Sequence, residues 1–217
     1  ISNVYGNIES IINTSTGEIN SASDTIVNGS GRFITSLINQ GDIDASADAA
    51  ILNNGTISTI NNSGNIYATE GIGIENDGAS ATITNLTNSG NISAGTAISN
   101  TTGSIETITN TGSISSLTSL ADIHNNGSIN MLINRQSNLT FTGNLPANYQ
   151  IMIASTSNYG KITFSDVTGT TIFGIHATSS VNENTTYTSV ITGISDSELS
   201  TTTGTFIDEG VIAMTGH

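Results

Sequence analysis

Along the first 130 residues, aliphatic positions recur in a fixed relation to glycine. An Asn or Thr stands near each glycine and an aliphatic residue follows two places after it, as in Asn62-Ser63-Gly64-Asn65-Ile66 and Asn88-Ser89-Gly90-Asn91-Ile92. A second aliphatic residue lies four places before most of these glycines. We predict that both columns point inward: Ile8, Ile19, Phe33, Ile43, Ile57, Ile66, Ile92, Ile105, Ile114 and Ile129 after the glycines, with Ser80 as the exception, and Val27, Leu37, Ile51, Ile60, Ile74, Leu86, Ile108 and Ile123 before them.

The spacing of the glycines predicts the architecture. They form two interleaved series, each with steps of 22 to 26 residues. A fixed period of this length is typical of a solenoid or a propeller, but a propeller blade needs about 40 residues for its four strands. A period of about 24 residues supplies three short strands and three turns, so the solenoid is favoured.

The residues between the glycines favour strands over helices. They are mostly Ile, Val, Thr, Asn and Ser, which are poor helix formers, and the β-branched ones alternate with polar residues. Asn and Gly tolerate the positive φ that we expect at sharp corners, and stacked corner asparagines can hydrogen-bond in ladders. The fold class is therefore all-β, a three-sided parallel β-solenoid. A right-handed coil is expected from the usual preference of parallel crossovers.

The repeat becomes irregular after Ile133, and the only proline, Pro146, follows soon afterwards. From Tyr149 onward the sequence shows ordinary alternation of apolar and polar positions, and six of the ten aromatic residues lie in this part. We therefore predict two units: a solenoid of about five coils of about 24 residues at 1–138, and a β-rich capping module at 139–217. The cap would cover the last coil, whose open edge otherwise invites aggregation.

Charge and composition exclude several classes of partner. The net charge is −14 with only three basic residues, Arg32, Arg135 and Lys161, so binding to nucleic acid or to anionic membranes is not expected. Only 9% of residues are charged, which leaves a surface of Ser, Thr and Asn. Cysteine is absent, so stability has to come from stacked coils and not from disulfides. No apolar run is long enough for a membrane-spanning helix.

Three segments carry a resemblance to a known family: Asn148-Tyr149-Gln150-Ile151-Met152-Ile153, Ser157-Asn158-Tyr159-Gly160-Lys161-Ile162 and Thr171-Ile172-Phe173-Gly174-Ile175. Together with the Asn/Gly/Ile coils before them, they resemble the passenger region of Gram-negative autotransporters (type V secretion). The resemblance implies a secreted passenger at the bacterial cell surface, either anchored to the outer membrane or released from it. It also implies a C-terminal membrane β-barrel in the same precursor, so we expect this chain to be an excised piece.

The acidic residues are the first candidates for chemistry. Asp42, Asp44 and Asp48 form the densest group, and Glu70, Glu75 and Asp77 the next. On a strand, Asp42 and Asp44 would share a face, which allows a pair of carboxylates for glycoside cleavage. A solvated acidic corner is the simpler interpretation. Loose calcium binding by Asp42, Asp44 and Asp48 is a further alternative.

Other candidate chemistries have weaker signals. Arg32 could lie beside Asp44 or Leu52 in a neighbouring coil, where a salt bridge is more plausible than a lyase base. His124, His176 and His217 are too far apart in sequence for a zinc site, and His124 is expected to face outward beside Ile123. Thr82-Ile83-Thr84 and Thr107-Ile108-Thr109 resemble ice-binding arrays, but their positions relative to the glycines do not match. The sequence therefore predicts no catalytic, cofactor-binding or metal-binding residues.

The expected function is a non-enzymatic passenger fragment that acts as an adhesin or a structural stalk. Expected partners are glycans, receptors on host or neighbouring cells, or other copies of the chain. Two alternatives remain open: a glycan-degrading β-solenoid enzyme, and a structural or transport module whose activity lies elsewhere in the precursor.

Overall fold

The computed structural model describes residues 1–118, 120–201, 203–208 and 210–215. Short strands ending in Asn dominate the first two thirds of the chain. In chain order the elements are β1 (Ser2–Asn3), β2 (Asn7–Asn13), β3 (Glu18–Ser21), β4 (Ile26–Asn28), β5 (Phe33–Asn39), β6 (Asp42–Ala45), β7 (Ala49–Asn53), β8 (Thr56–Asn62), β9 (Asn65–Asn76), β10 (Thr82–Asn88), β11 (Asn91–Asn100), β12 (Ser104–Asn110), β13 (Ser113–Ser116), β14 (Ile123–Asn125), β15 (Ser128–Asn134), β16 (Leu139–Asn144), β17 (Asn148–Ile151), β18 (Ile162–Thr168), β19 (Thr171–Ile175), β20 (Ile191–Thr192), a 3-10 helix (Asp196–Glu198), β21 (Leu199–Thr201), β22 (Thr203–Asp208) and β23 (Gly210–Thr215). Within the described residues, no helix is long and apolar enough to cross a membrane.

The strands stack in parallel as a β-solenoid, as predicted, with about eight turns where the repeat predicted about five coils. At a strand spacing of roughly 4.8 Å this gives a rod about 40 Å long. Face 1 is formed by β2, β5, β8, β10, β12, β15, β17, β19 and β21. Face 2 is formed by β3, β6, the first part of β9, the first part of β11, and β13. Face 3 is formed by β1, β4, β7, the second parts of β9 and β11, β14, β16, β18 and β20.

The two predicted columns of aliphatic residues form the core, but the prediction is wrong for two residues of one coil. Ile57, Ile83 and their equivalents from the second coil onward are buried, as are Leu37, Ile60 and theirs, whereas Ile8 and Ile19 at the start of the rod are partly buried. Val27 and Phe33, however, lie on the outer side, and Ile26 and Ile34 take the inward positions. The cause is a long corner: four residues separate Asn28 from Phe33, whereas two separate Asn53 from Thr56. A similarly long corner follows Asn76, and it explains why Ser80 broke the pattern.

Glycines stack directly on one another at the corner between faces 1 and 2. A Cβ atom built on Gly64 would lie 2.1 Å from the carbonyl oxygen of Gly41, and one on Gly90 would lie 2.2 Å from that of Gly64. The predicted reason for these glycines, positive φ, is wrong for this stack, since positive φ occurs at Gly31 and Gly78 in the long corners instead. Close approach of consecutive coils is what requires glycine here.

Asparagines form the two ladders that the repeat predicted, and both ladders are buried. In each, the Nδ2 atom donates to the Oδ1 atom of the Asn one coil later at 2.7 to 3.2 Å. The first ladder ends the strands of face 1 and consists of Asn13, Asn39, Asn62, Asn88, Asn110 and Asn134. The second ends the strands of face 3 and consists of Asn3, Asn28, Asn53, Asn76, Asn100 and Asn125. Each amide inside a ladder is therefore bonded on both sides, and its burial is compensated.

The parallel sheets continue past the predicted boundary at residue 138. β16 pairs with β14 and β18, and β17 pairs with β15 and β19, so both sheets run on to β20 and β21. The change in this region is the loss of face 2 after β13. In its place the side chain of Gln136 bonds the Ile114 backbone, accepting from its N–H at 2.8 Å and donating to its carbonyl at 2.9 Å. Because face 2 is lost, the coil from Leu132 to Tyr149 is only 17 residues long, and the repeat in the sequence becomes irregular at this point. A two-stranded antiparallel sheet, β22–β23, follows the parallel ones.

Candidate functional site

Face 2 presents two outward columns of polar residues. Its strands follow a four-residue pattern in which the second residue is Ile and the fourth is Ala or Ser, and these point inward. The first and third residues point outward, since successive side chains of a strand alternate between its two sides. The first outward column is Glu18, Asp42, Asn65, Asn91 and Ser113, and the second is Asn20, Asp44, Tyr67, Ser93 and Ser115.

A shallow groove of about 280 Å³ lies over these columns. Carboxylates and amides line it along four consecutive coils, together with the ring of Tyr67. Tyr67 as a residue is 36% exposed, and it lies in register between Asp44 in the preceding coil and Ser93 in the following one. We call this the face-2 groove. It combines one aromatic surface with several hydrogen-bonding groups.

Asp42 and Asp44 share this face, as the sequence predicted. The Nδ2 atom of Asn65 donates to the Asp42 carboxylate at 2.7 Å, which fixes the orientation of that carboxylate. The strand beneath is anchored from the neighbouring face, because the buried Thr25 hydroxyl donates to the Asp44 carbonyl oxygen at 2.6 Å. The strand that carries Asp44 is therefore tied to the neighbouring face.

Asp48 does not join the other two aspartates. The chain turns between Ala45 and Ala49, and the Asp48 carboxylate accepts a hydrogen bond from the Ser23 hydroxyl at 2.8 Å in the corner between faces 2 and 3. The three residues considered for calcium are thus divided between two surfaces. Within the described ranges, no group of three His, Asp or Glu side chains is arranged to hold a metal ion.

A second, wider groove of about 600 Å³ follows the corner between faces 2 and 3. It is lined by Asp24, Asp48, Glu70 and Glu75, with Leu52, Ile72 and Leu120 as apolar contacts. Burial raises the pKa of Glu75, and the negative charges of Asp77, Asp24 and Asp48 raise it further. Of the second acidic group of the sequence, Glu70 and Glu75 therefore line this groove, whereas Asp77 follows the end of the face-3 strand at Asn76.

The basic residues lie away from both grooves. Arg32 is at the corner between faces 3 and 1, where its carbonyl oxygen accepts from the Thr56 N–H, so it is not on the face that holds Asp44. Arg135 donates from Nη2 to the Thr111 carbonyl oxygen at 2.7 Å. The Nζ atom of Lys161 lies 4.7 Å from the centroid of the Tyr159 ring. Among the residues that the structure describes, no lysine or arginine lines either groove.

The remaining candidates have structural partners. His124 lies on the outer side of face 3 beside the buried Ile123, as predicted, with Nδ1 at 2.9 Å from the Thr142 hydroxyl. His176 contacts the Thr178 hydroxyl at 2.8 Å, and His217 lies outside the described residues. Thr82 is opposite Ser104, and Thr107 is opposite Asn85, so the threonine arrays are not in register, as the glycine positions indicated.

Sequence reasoning missed Tyr67. The available signal was the 23-residue step from Asp44, since one repeat period places these two residues side by side in the outward column. Searches of family models, of curated proteins and of solved structures gave no match to this chain.

Proposed function

We propose that this chain is a non-enzymatic passenger segment of a Gram-negative autotransporter, presented at the cell surface as an adhesin or a stalk. The observation that carries the proposal is the rod itself: about eight stacked turns with two buried amide ladders. A stiff rod suits projection of a binding surface away from a cell. The resemblance of the Asn/Gly/Ile coils and of 148–175 to autotransporter passengers supports the same assignment.

The outer surface of the rod supports contact rather than catalysis. The outward positions of β8, β10 and β12 are mainly Ser, Thr and Asn, which exchange hydrogen bonds with water or with a partner at little cost. The excess of negative charge opposes non-specific association of such rods. Under this proposal the ligand is a glycan, a receptor on another cell, or a second copy of the chain.

One observation favours a second candidate, a glycan-cleaving enzyme: Asp42 and Asp44 lie together on the face-2 groove. Against hydrolysis stands the hydrogen bond that already engages Asp42, and against a lyase stands the lack of a Lys or Arg among the described residues that line the groove. Replacing both aspartates by Asn separates the candidates. We expect any glycan binding to persist in part and no hydrolysis by the wild type. Hydrolysis that disappears in the D42N/D44N variant would establish the enzyme instead.

The proposed location is tested on intact cells of the source bacterium. Antibodies raised against the folded protein should label unpermeabilised cells, and external protease should remove the label. Labelling that requires permeabilised cells would contradict surface display. Saturable binding of the purified rod to glycans or cells would then distinguish an adhesin from a stalk.

A further inference from the structure

We infer that the face-2 groove is a saccharide-binding site that stacks a neutral or amino sugar on the ring of Tyr67. This inference rests on the proposed adhesin function and names the ligand class of its site. Tyr67 is the starting point, because it places an exposed aromatic ring within a surface that is otherwise polar. Pyranose rings have a C–H face that packs on aromatic rings, which combine a large apolar surface with a polar hydroxyl.

The groups around the ring match the hydroxyls of a sugar. Asp44 lies next to Tyr67 in the same column, and Asp42 and Asn65 lie in the adjacent column. Carboxylates accept hydrogen bonds from hydroxyl donors, and amides both donate and accept. Since the Nδ2 atom of Asn65 already holds the Asp42 carboxylate, that acceptor is oriented before a ligand arrives. Pre-orientation of this kind reduces the entropy lost on binding.

The repeat extends the site along the rod. Successive coils are roughly 4.8 Å apart, and the two outward columns are roughly 6.7 Å apart because their residues are two positions apart on a strand. Glu18, Asp42, Asn65 and Asn91 therefore offer one polar group per coil beside Tyr67. This arrangement suits an oligosaccharide that runs parallel to the rod axis.

Charge selects among sugars. Glu18, Asp42 and Asp44 line the groove, and no Lys or Arg does. Uronic acids, sialic acids and sulfated sugars would be repelled, since like charges disfavour association. Neutral hexoses and protonated hexosamines are the compatible ligands.

Other exposed apolar side chains provide the control. Tyr5 is 93% exposed but does not line the groove. A Tyr5→Ala variant therefore removes the same side chain from a position outside the groove.

The test measures binding of the full 217-residue chain to an array of neutral, amino and acidic oligosaccharides. We expect neutral or amino oligosaccharides to bind, Tyr67→Ala to weaken binding at least about tenfold, and Tyr67→Phe to retain it. Asp44→Asn should weaken binding less, and Tyr5→Ala should leave it unchanged. Melting temperatures of all variants check that the outward substitutions leave the fold intact.

Three results would overturn the inference. Binding that is unchanged in Tyr67→Ala would place the ligand elsewhere and leave the adhesin proposal standing. Selective binding of acidic sugars would contradict the charge argument. A wild type that binds no sugar would remove the site, and surface labelling of cells would then favour the stalk.

Discussion

The coils up to Asn134 and the coils after it fill the same corners in different ways. In the first region the end of each face-1 strand carries a ladder asparagine, and the core columns are aliphatic. In the second region Asn134 is followed in register by Ile151 and Ile175, and Leu132 by Tyr149 and Phe173. The Phe141 and Phe164 rings meet edge to face with centroids 5.4 Å apart. At the ladder position the amide thus gives way to isoleucine, and in the core columns aliphatic side chains give way to aromatic rings.

The difference indicates which coils can hold a buried amide ladder and which have to use apolar packing. A buried amide is stable only if the coils on both sides offer matching partners, because an unpaired one keeps its desolvation cost. Where face 2 is lost, the coils become unequal and a continuous amide ladder is no longer supported. Large apolar side chains need no partner with matching hydrogen bonds, so they can close an irregular coil. The ladders belong to the regular part of the rod.

The largest predicted effect is at the ladder. Asn62→Ala removes the bonds to Asn39 and Asn88 and leaves the carbonyl oxygen of Asn91 without its side-chain donor. We expect the free energy of unfolding to fall by about 3–5 kcal/mol, since each orphaned buried group costs about 1–3 kcal/mol. Chemical denaturation measures the loss. The neighbouring Asn61 is exposed, and Asn61→Ala should change stability by less than about 0.5 kcal/mol. Equal effects of the two substitutions would mean that the ladder contributes nothing special.

A smaller loss is expected at the glycine stack. Gly90→Ala would place a Cβ atom 2.2 Å from the Gly64 carbonyl oxygen, so the two coils have to separate locally. Overpacking of this kind costs about 1–3 kcal/mol. Gly6→Ala is the matched control, because a Cβ atom there meets nothing within 4 Å. If Gly90→Ala left the free energy of unfolding unchanged, the two coils would be able to separate at this point without a loss of stability.

In the coils after Asn134 we predict a substitution that increases the stability of the protein. The Tyr149 hydroxyl is buried and has no hydrogen-bond partner among the described residues. Burial also raises the pKa of this hydroxyl, so it stays neutral. Tyr149→Phe should therefore stabilise the protein by about 1 kcal/mol, as measured by the denaturation midpoint. Destabilisation would indicate that the hydroxyl bonds to the side chain of Asn134 in solution.

The smallest effect concerns the acidic corner and depends on pH. Burial and the neighbouring carboxylates raise the folded-state pKa of Glu75 above its ordinary value of 4.5. Its contribution to stability is therefore present below pH 4.5 and is lost as the pH rises through the raised folded pKa. Glu75→Gln should be more stable than the wild type at pH 7 by less than about 1 kcal/mol, because the side chain is half exposed. The stability difference between Glu75→Gln and the wild type should disappear in melting experiments below pH 4.5. If this difference increased as the pH is lowered, the folded-state pKa of Glu75 would not be raised.

The repeat predicted the regular part of the molecule well, because its constraints are local and periodic. The buried positions of Ile57 and Ile60 and the Asn ladders follow from composition and spacing alone. The glycine spacing wrongly predicts that Phe33 points inward, because the length of the corner, and not the nearest glycine, sets which residues of the next strand point inward. The continuation past residue 138 was missed because the bonds that Gln136 makes to Ile114 have no sequence signature. Tyr67 needed the register between coils before its neighbours were known.

The most direct test of the ladder account is a double-mutant cycle on Asn62 and Asn88, whose amides bond at 2.8 Å. The free energy of unfolding is measured for the wild type, both single Ala variants and the double variant. We predict that the loss of stability in the double variant is smaller, by at least about 1 kcal/mol, than the sum of the losses in the two single variants, since the bond between the two amides is already missing after the first substitution. Additive losses within about 0.5 kcal/mol would show that these amides act independently and would contradict it.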